Sequence, residues 1–467
     1  MSPAESLVRY PTFCGQNFLD TQDAVSYTAY NKKQVLINPK LERSSFMAKK
    51  NKITILGGVG SQTISTSIDI SRHSKFDEIV IADGDMKRAK ELVNALKDHR
   101  ISLYHLDATK VSSIVDAIKG CDIIINGLPS TFPGAAFNIE ANVAEAAMKA
   151  KVKFLVNINC ILAVDGEFSP EGVKKWDKKL KAAGIGVTLF NGGITTCELL
   201  AVKGAKDMDR VDEIHVYWGC AAPLEQAAAG LVDTVLWEEN PNVEDRLYYA
   251  NGKIVKGVEP FGMKTHWDYP EPILSHCGNE AYQLTHTEPL TLSQVFPNAR
   301  IITSRGVLGD KDCNAILKFV VRHGLYDMEP IEVGGHKVSP LEFMRNLWVR
   351  IGEIELEKIR KGEKIPDWYG EYSLEAEVIG IKNGIGARSV YSSIVPPHPF
   401  HELLKRDPIG EFGVAIGTPL SVTASMLLDG KVEMKTGLLG NVEIFPDVDE
   451  YFAELTKRGF KLIKRAG

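Results

Sequence analysis

The chain has 467 residues, 44% of them hydrophobic and 25% charged, and a formal net charge of −5 at pH 7. That length is enough for two or three domains with separate cores, and the balance is that of an ordinary globular protein, which excludes disordered and fibrous classes. A mildly acidic chain makes neither nucleic acid nor an anionic membrane its main partner, and no apolar run approaches the roughly 20 residues a membrane helix needs.

The opening residues, MSPAESLVRYPTF, lack a basic start and an apolar stretch, so no secretory signal is expected. Seven cysteines are scattered, odd in number and never spaced Cys-x-x-Cys. This fits reduced thiols packed as small hydrophobes in a cytoplasmic protein; it does not fit a disulfide framework or a zinc site, and no metal is expected. Residues 1–50 have no clear period. They read as a surface-draped extension, or as a cover for a site mouth or a neighbouring subunit.

From Lys52 to Asp85 the chain reads KITILGGVGSQTISTSIDISRHSKFDEIVIADGD. Apolar Ile53, Ile55 and Leu56 run into Gly57, Gly58 and Gly60, and a second apolar run, Ile79 to Ala82, ends at Asp83. This outlines a strand, a glycine turn, a helix and a parallel strand. Such a unit binds dinucleotides because glycines let the backbone approach a pyrophosphate, whose charge then meets unpaired N–H groups at a helix start. A carboxylate closing the second strand accepts hydrogen bonds from the ribose, and Asp83 stands there. The spacing is one glycine short of Gly-x-Gly-x-x-Gly, so a plain glycine turn stays open until the later strands are counted.

Alternation continues to about residue 195. Asp85 to Leu96 fits an amphipathic helix, Ile101 to Leu106 a strand ending at Asp107, and Val111 to Ile118 a short helix. Cys121 to Asn126 (CDIIIN) is a strand buried on both faces, leading into the loop Asn126-Gly127-Leu128-Pro129-Ser130. Asn138 to Lys149 reads as a helix, Lys153 to Asn159 as a strand, Trp176 to Ala183 as a helix and Gly186 to Asn191 as a strand. Gly192-Gly193-Ile194-Thr195-Thr196 then opens a further helix. Regular alternation of this kind predicts an α/β fold with a doubly wound parallel sheet of Rossmann type.

After Ala205 the texture changes. Glu213 to Tyr217, Leu247 to Ala250, Lys253 to Val258, Ala281 to His286, Ile301 to Ser304 and Ala376 to Lys382 read as strands without crossover helices, which predicts a mixed, antiparallel-rich second domain. Ser339-Pro340-Leu341-Glu342 is a capping box, and it starts a helix whose Phe343, Met344, Leu347, Trp348 and Ile351 form a core-facing stripe. Beyond Pro396-Pro397-His398-Pro399, Thr418 reads as an N-cap with Pro419 first in a helix that ends at Asp429-Gly430, and Tyr451 to Leu455 as another helix.

In this order the pieces resemble the saccharopine dehydrogenase family, which includes saccharopine reductases, lysine 6-dehydrogenases and carboxynorspermidine synthases. The resemblance covers about residues 51 to 460. ITILGGVGS with IADGD is similar to the family's nucleotide-binding start, and DIIINGLPS to a later strand and loop of that domain. NGGITTCELLAVKGAKDMDRVDEIHVYWG is similar to the segment the family places beside the nicotinamide. GKIVKGVEPFG, EAYQLTHTEPLTL and IITSRG resemble the lysine-dehydrogenase branch, and IGTPLSVTASMLLDGKV with VDEYFAELTKRGF the closing return to the first domain. The resemblance implies a Rossmann domain completed by the C-terminal segment, an inserted α/β domain for substrate and dimerisation, and hydride chemistry at a carbon bearing an amine. The chain departs from the pattern in its glycine turn, in the residues after the arginine of TSRGVLGD, and in having Asn157 or Asn159 where the family has an aspartate.

The expected organisation is an N-terminal extension (1–50), a dinucleotide-binding domain (51–205), a substrate and dimerisation domain (206–395) and a C-terminal return (396–467). Gly57, Gly58, Gly60 and Ser61 are expected to cradle the pyrophosphate and Asp83 to hold the ribose diol, with Asp107 and Asn157 at strand ends in the same cofactor set. An anionic Asp83 favours NAD; nearby Lys87 and Arg88 keep NADP as the alternative. Gly127, Leu128, Pro129 and Ser130 line the nicotinamide ribose, or form an ordinary turn. Thr195 and Thr196 hold a carboxamide or substrate carboxylate at a helix start, or merely cap it. Arg305 suits a substrate carboxylate, or a surface salt bridge. His286 and Glu288, two apart on one strand face, suit a general base, or a structural pair.

The leading function is oxidoreduction at the C–N bond of an amino-acid-derived amine or imine, by a cytoplasmic homodimer acting on a small-molecule amino-acid substrate. A polyamine-forming reductase is one alternative. A non-catalytic dinucleotide-binding regulatory subunit is the other.

Overall fold

The computed structural model describes residues 50–128, 138–159, 161–164, 170–221, 246–363, 371–396 and 411–465. The N-terminal extension up to residue 49, Cys14, Cys160, Pro129, Ser130 and the turn 397–399 lie outside the described residues.

The first layer is a parallel sheet built from β1 (Lys52–Leu56), β2 (Glu78–Asp83), β3 (Ile101–His105), β4 (Ile123–Asn126), β5 (Phe154–Asn157) and β6 (Gly186–Thr188). Its order is β3-β2-β1-β4-β5-β6, and every pairing is parallel. Isoleucine-rich β1 and β4 are buried because helices cover both faces, which is why they read as unbroken apolar runs. The helices are α1 (Ile64–His73), α2 (Met86–Leu96), α3 (Val111–Ala117), α4 (Ile139–Ala150), α5 (Pro170–Ala183) and α6 (Gly193–Ala205). The order reverses between β1 and β4, so their carboxyl ends open a crevice at the point where this architecture binds ligands.

The second layer is a nine-stranded mixed sheet around β7 (Arg210–Ala221). Chain order adds β8 (Tyr248–Ala250), β9 (Lys253–Val255), β10 (Thr265–His266), helix α7 (Ile273–Cys277), β11 (Glu280–Gln283), helix α8 (Glu288–Val295), β12 (Ile301–Leu308) and helix α9 (Lys311–Arg322). A small hairpin, β13 (Ile331–Val333) and β14 (His336–Val338), leads to helix α10 (Pro340–Arg360), then β15 (Glu371–Lys382) and β16 (Ile385–Ile394). β12 runs parallel to β7, while β15 and β16 complete the far side antiparallel. Ile214, Val216 and Trp218 share a core with Leu199 and Leu200 of α6, whereas Tyr217 packs with Trp267 and Tyr269 on the other side. Alternation along β7 thus gives the sheet two different faces.

The chain then returns to the first layer. Helix α11 (Glu411–Leu428) lies on α1, and β17 (Gly437–Leu439) adds a seventh parallel strand beside β6. After helices α12 (Asn441–Ile444) and α13 (Val448–Lys457), β18 (Lys461–Arg465) pairs with β16 of the mixed sheet. The contact between α1 and α11 is polar and close: Ser65 Oγ donates to the Gly413 carbonyl at 2.5 Å and Thr66 Oγ1 to the Gly417 carbonyl at 2.8 Å. Asp69, one turn on, accepts from Ser421 at 2.5 Å and from Arg458 Nε at 2.8 Å.

Three local expectations differ from what is seen. Pro419 does not start a helix; it sits inside α11, which begins at Glu411. Ala415, Leu420, Val422 and Ala424 are fully buried, so packing on several sides outweighs the lost helix bond. In α10 the apolar stripe is split: Trp348 is 3% exposed, but Phe343 and Leu347 are 55% and 41% exposed. The helix packs along Leu341, Met344 and Trp348, and the neighbouring row one residue round faces solvent. Finally, β11 stops at Gln283, which leaves His286 in a loop and Glu288 as the first residue of α8.

Candidate active site

The crevice is made mostly of backbone. Gly57 has φ +70°, and a Cβ there would meet the Gly127 carbonyl oxygen at 2.9 Å, so only glycine lets the two strand-end loops approach. The Gly57 N–H donates to Ala82 at 2.8 Å and the Gly127 N–H to Leu56 at 2.9 Å, tying the β1 and β4 loops to neighbouring strands. Asp83 braces the turn, accepting from the Val59 N–H at 3.0 Å with one oxygen and from the Asp85 N–H at 2.9 Å with the other. Among the described residues the N–H groups of Gly58, Ser61 and Gln62 donate to no acceptor. Unpaired amides beside a glycine turn and ahead of α1 fit a diphosphate, and each Asp83 oxygen keeps a lone pair for a ribose hydroxyl.

Asp107 lies one strand over. Lys110 and Thr109 hold its carboxyl down to about 2, so it is a half-buried anion at the end of β3. Leu128 is 7% exposed at the head of the β4 loop. Asn157 is buried, and its amide is committed to Glu140 of α4 at 2.5 Å.

A second cluster forms where α6 meets the mixed sheet. Gly193 begins α6, and a Cβ there would lie 2.8 Å from the Trp218 ring, so the helix start rests directly on β7. Trp218 stands edge-on to His286 with ring centroids 4.5 Å apart, and its indole N–H donates to Glu288 Oε1 at 2.8 Å. His286 Nδ1 lies 3.2 Å from the same oxygen. A buried carboxylate accepting from Nδ1–H makes Nε2 the basic nitrogen of this ring. Among the described residues, Glu288 Oε2 and Thr195 Oγ1 are buried with no hydrogen-bond partner. Thr196 instead bonds the Tyr451 hydroxyl at 2.8 Å.

Below this cluster Glu198 of α6 is wholly buried, accepting from Thr291 Oγ1 of α8 and from Asn441 Nδ2 at 3.0 Å. Burial pushes its carboxyl up to about 8, against the pull of those two bonds. Arg305 falls elsewhere. It pairs in register with Tyr217, and so lies on the face of the mixed sheet opposite to Trp218, His286 and Glu288.

The family model described as the saccharopine dehydrogenase NADP binding domain matches residues 53–185. Residues 53–185 are thus similar to the nucleotide-binding domain of the saccharopine dehydrogenase family. The likeness of fold continues through the mixed sheet: the apo saccharopine dehydrogenase (L-Glu forming) of Saccharomyces cerevisiae superposes with a TM-score of 0.59 at 13% identity, over 89% of this chain and 99% of that one. An NADPH-dependent quinone oxidoreductase from Escherichia coli, 21% identical over 36% of this chain and 59% of its own, has a TM-score of only 0.24. No curated protein sequence matches the chain.

Within this saccharopine dehydrogenase fold the sequence-derived residues fall in different places. Gly57, Gly58, Gly60, Ser61, Asp83, Gly127 and Leu128 come together at the crevice, with Asp107 at the end of β3. His286 and Glu288 gather around Trp218, with Thr195 on the first turn of α6 that rests on it, while Asn157 is held by Glu140, Thr196 by Tyr451, and Arg305 stands apart. Glu140, Glu198 and Trp218 were not singled out from sequence. For Glu198 a signal exists: it is the one acid in the apolar run TTCELLAV, on a helix that opens at the glycine turn.

Proposed function

We propose that this chain is an NAD(P)-dependent oxidoreductase acting on the C–N bond of an amino-acid-derived amine or imine, of saccharopine dehydrogenase or lysine 6-dehydrogenase type. The single observation that carries this reading is the meeting, at the start of α6, of the Rossmann layer with the Trp218–His286–Glu288 cluster. A nicotinamide dinucleotide, when bound, supplies hydride transfer at ring C4. The chain's own work is to bind, orient and move a proton. The Gly57 to Ser61 turn holds the diphosphate and Asp83 the ribose. The start of α6 offers the N–H groups of Gly193 and Ile194, which meet no acceptor among the described residues, and the Thr195 hydroxyl for a carboxamide or carboxylate. His286 takes the amine proton at Nε2, while Glu288 fixes its tautomer and favours the imidazolium that results.

Asp83 favours NAD, since a 2'-phosphate would be repelled by its carboxylate; the description of the matching family model names NADP, and Lys87 and Arg88 open α2 next to it. We read the mixed sheet as the substrate domain and the chain as a homodimer. The exposed Phe343 and Leu347 support the second point.

The test is the near-ultraviolet absorbance of the reduced nicotinamide, with NAD and with NADP, against lysine, against saccharopine, and against an aldehyde plus amine mixture. Turnover of one of these amines is expected. Measurable dinucleotide binding without turnover of any amine would replace the enzyme reading with that of a regulatory subunit.

A further inference from the structure

Three side-chain amides converge on one carboxylate beneath the crevice. Glu140, in the first turn of α4 and 1% exposed, accepts from Asn157 Nδ2 at 2.5 Å, Asn126 Nδ2 at 3.1 Å and Asn159 Nδ2 at 3.4 Å. Asn126 ends β4 and Asn157 ends β5, so both strand-end loops report to the same acid.

These amides cannot be turned round. Asn126 Oδ1 accepts from the Leu128 N–H at 3.2 Å, and Asn157 Oδ1 from the Asn159 N–H at 3.2 Å and from Asn126 Nδ2 at 3.0 Å. Asn159 Nδ2 also donates to the Leu128 carbonyl at 2.8 Å. A backbone N–H only donates and a carbonyl only accepts, so the loops dictate which end of each amide they meet, and the NH2 groups are left for Glu140. A group that accepts without donating is required there, and an ionised carboxylate is such a group. Burial pushes the Glu140 carboxyl up, while the bonds from Asn157, Asn159 and Asn126 pull it back.

We propose that Glu140 is a positioning residue for the dinucleotide: through Asn126, Asn157 and Asn159 it clamps the backbone of Leu128 at both N–H and C=O, and so sets the crevice wall beside the nicotinamide half. This rests on the cofactor reading under Proposed function. The clamp acts on a loop that faces the crevice and depends on the polarity of residue 140, whereas a packing role would depend on its volume.

Two variants of the full-length chain separate these. Glu140→Gln keeps the volume but sets an NH2 against the asparagine NH2 groups; Glu140→Asp keeps an acceptor on a shorter stem. Leaving buried donors unpaired weakens binding by about tenfold or more, so E140Q should raise the dissociation constant for NADH or NADPH by that factor, with E140D affected less. In turnover, KM for the dinucleotide should move more than kcat. Amide hydrogen exchange, read without dinucleotide, should quicken at Leu128 and Asn159 in E140Q while Ile124 and Leu155 in the strands keep their protection. If exchange at Leu128 and Asn159 stays as in the wild type, or if E140D is the more damaged variant, the clamp is wrong. If the wild type binds neither dinucleotide, the cofactor reading falls instead, and the exchange data tell the two failures apart.

Discussion

The two sheets make the sites proposed above by different means. At the carboxyl ends of the parallel sheet the working parts are N–H groups and the absence of side chains, as at Gly57 and Gly127, with one acid, Asp83, bracing the turn. On the inner face of the mixed sheet the working parts are side chains, Trp218, His286 and Glu288, delivered by a strand, a loop and a helix start that are far apart in sequence. A backbone site is local and leaves a spacing in the sequence. A side-chain site is assembled by tertiary contacts and leaves only residue types.

The largest effect that would sharpen this contrast belongs to Glu198, at the seam between the layers. Its folded carboxyl sits at about 8 against an ordinary 4.5. The unfolded chain ionises it first, so its stabilising contribution is whole below about pH 4.5 and is lost progressively as pH rises to about 8, an upper bound of roughly 5 kcal/mol. Glu198→Gln should be the more stable protein above about pH 5 and should flatten the pH dependence, as read by urea unfolding at several pH values. A mutant curve parallel to the wild type would mean that Glu198 does not titrate there.

Next comes the side-chain site itself. His286→Gln should lower kcat by about 100-fold or more while leaving the dissociation constant for the dinucleotide within about twofold, since general base catalysis is worth that much and the crevice is untouched. An equal loss in dinucleotide binding would erase the division between backbone and side-chain sites. At the backbone site, Gly57→Ala pushes a Cβ at the Gly127 carbonyl and forces a left-handed residue, about 1–2 kcal/mol. NADH or NADPH affinity should therefore fall about tenfold or more in a fluorescence titration, with the tryptophan environment of the mixed sheet unchanged. The smallest effect is expected from Arg305→Gln, on the far face: turnover within about twofold of the wild type. A large rise in the substrate KM would bring that face into the reaction.

Legibility in the sequence divides along the same line. CDIIIN and the pair GGVGS and IADGD declare strand, turn and acid because their conformations are set within about thirty residues, and the alternation around them specifies the parallel sheet. His286 and Glu288 were legible as residue types, but the strand expected to carry them ends at Gln283. Thr287 and Pro289 were the missed sign, since proline near a first turn marks a helix start. The reversal at Pro419 has the opposite cause: a correct local rule overruled by burial on several sides. Glu140 could not be found from sequence at all, because nothing in NIEANVAEAA announces the asparagines of two other strands.

The union of α1 with α11 bears on how this protein is made. On an emerging polypeptide, Ser65, Thr66 and Asp69 appear 348, 351 and 389 residues ahead of the carbonyls and the guanidinium that satisfy them. The nucleotide-binding half is therefore sealed late, after Arg458 has left the ribosome. A fragment ending near residue 205 should behave as a collapsed intermediate that binds chaperones, and it would acquire a firm native core when residues 411–465 are supplied as a separate chain.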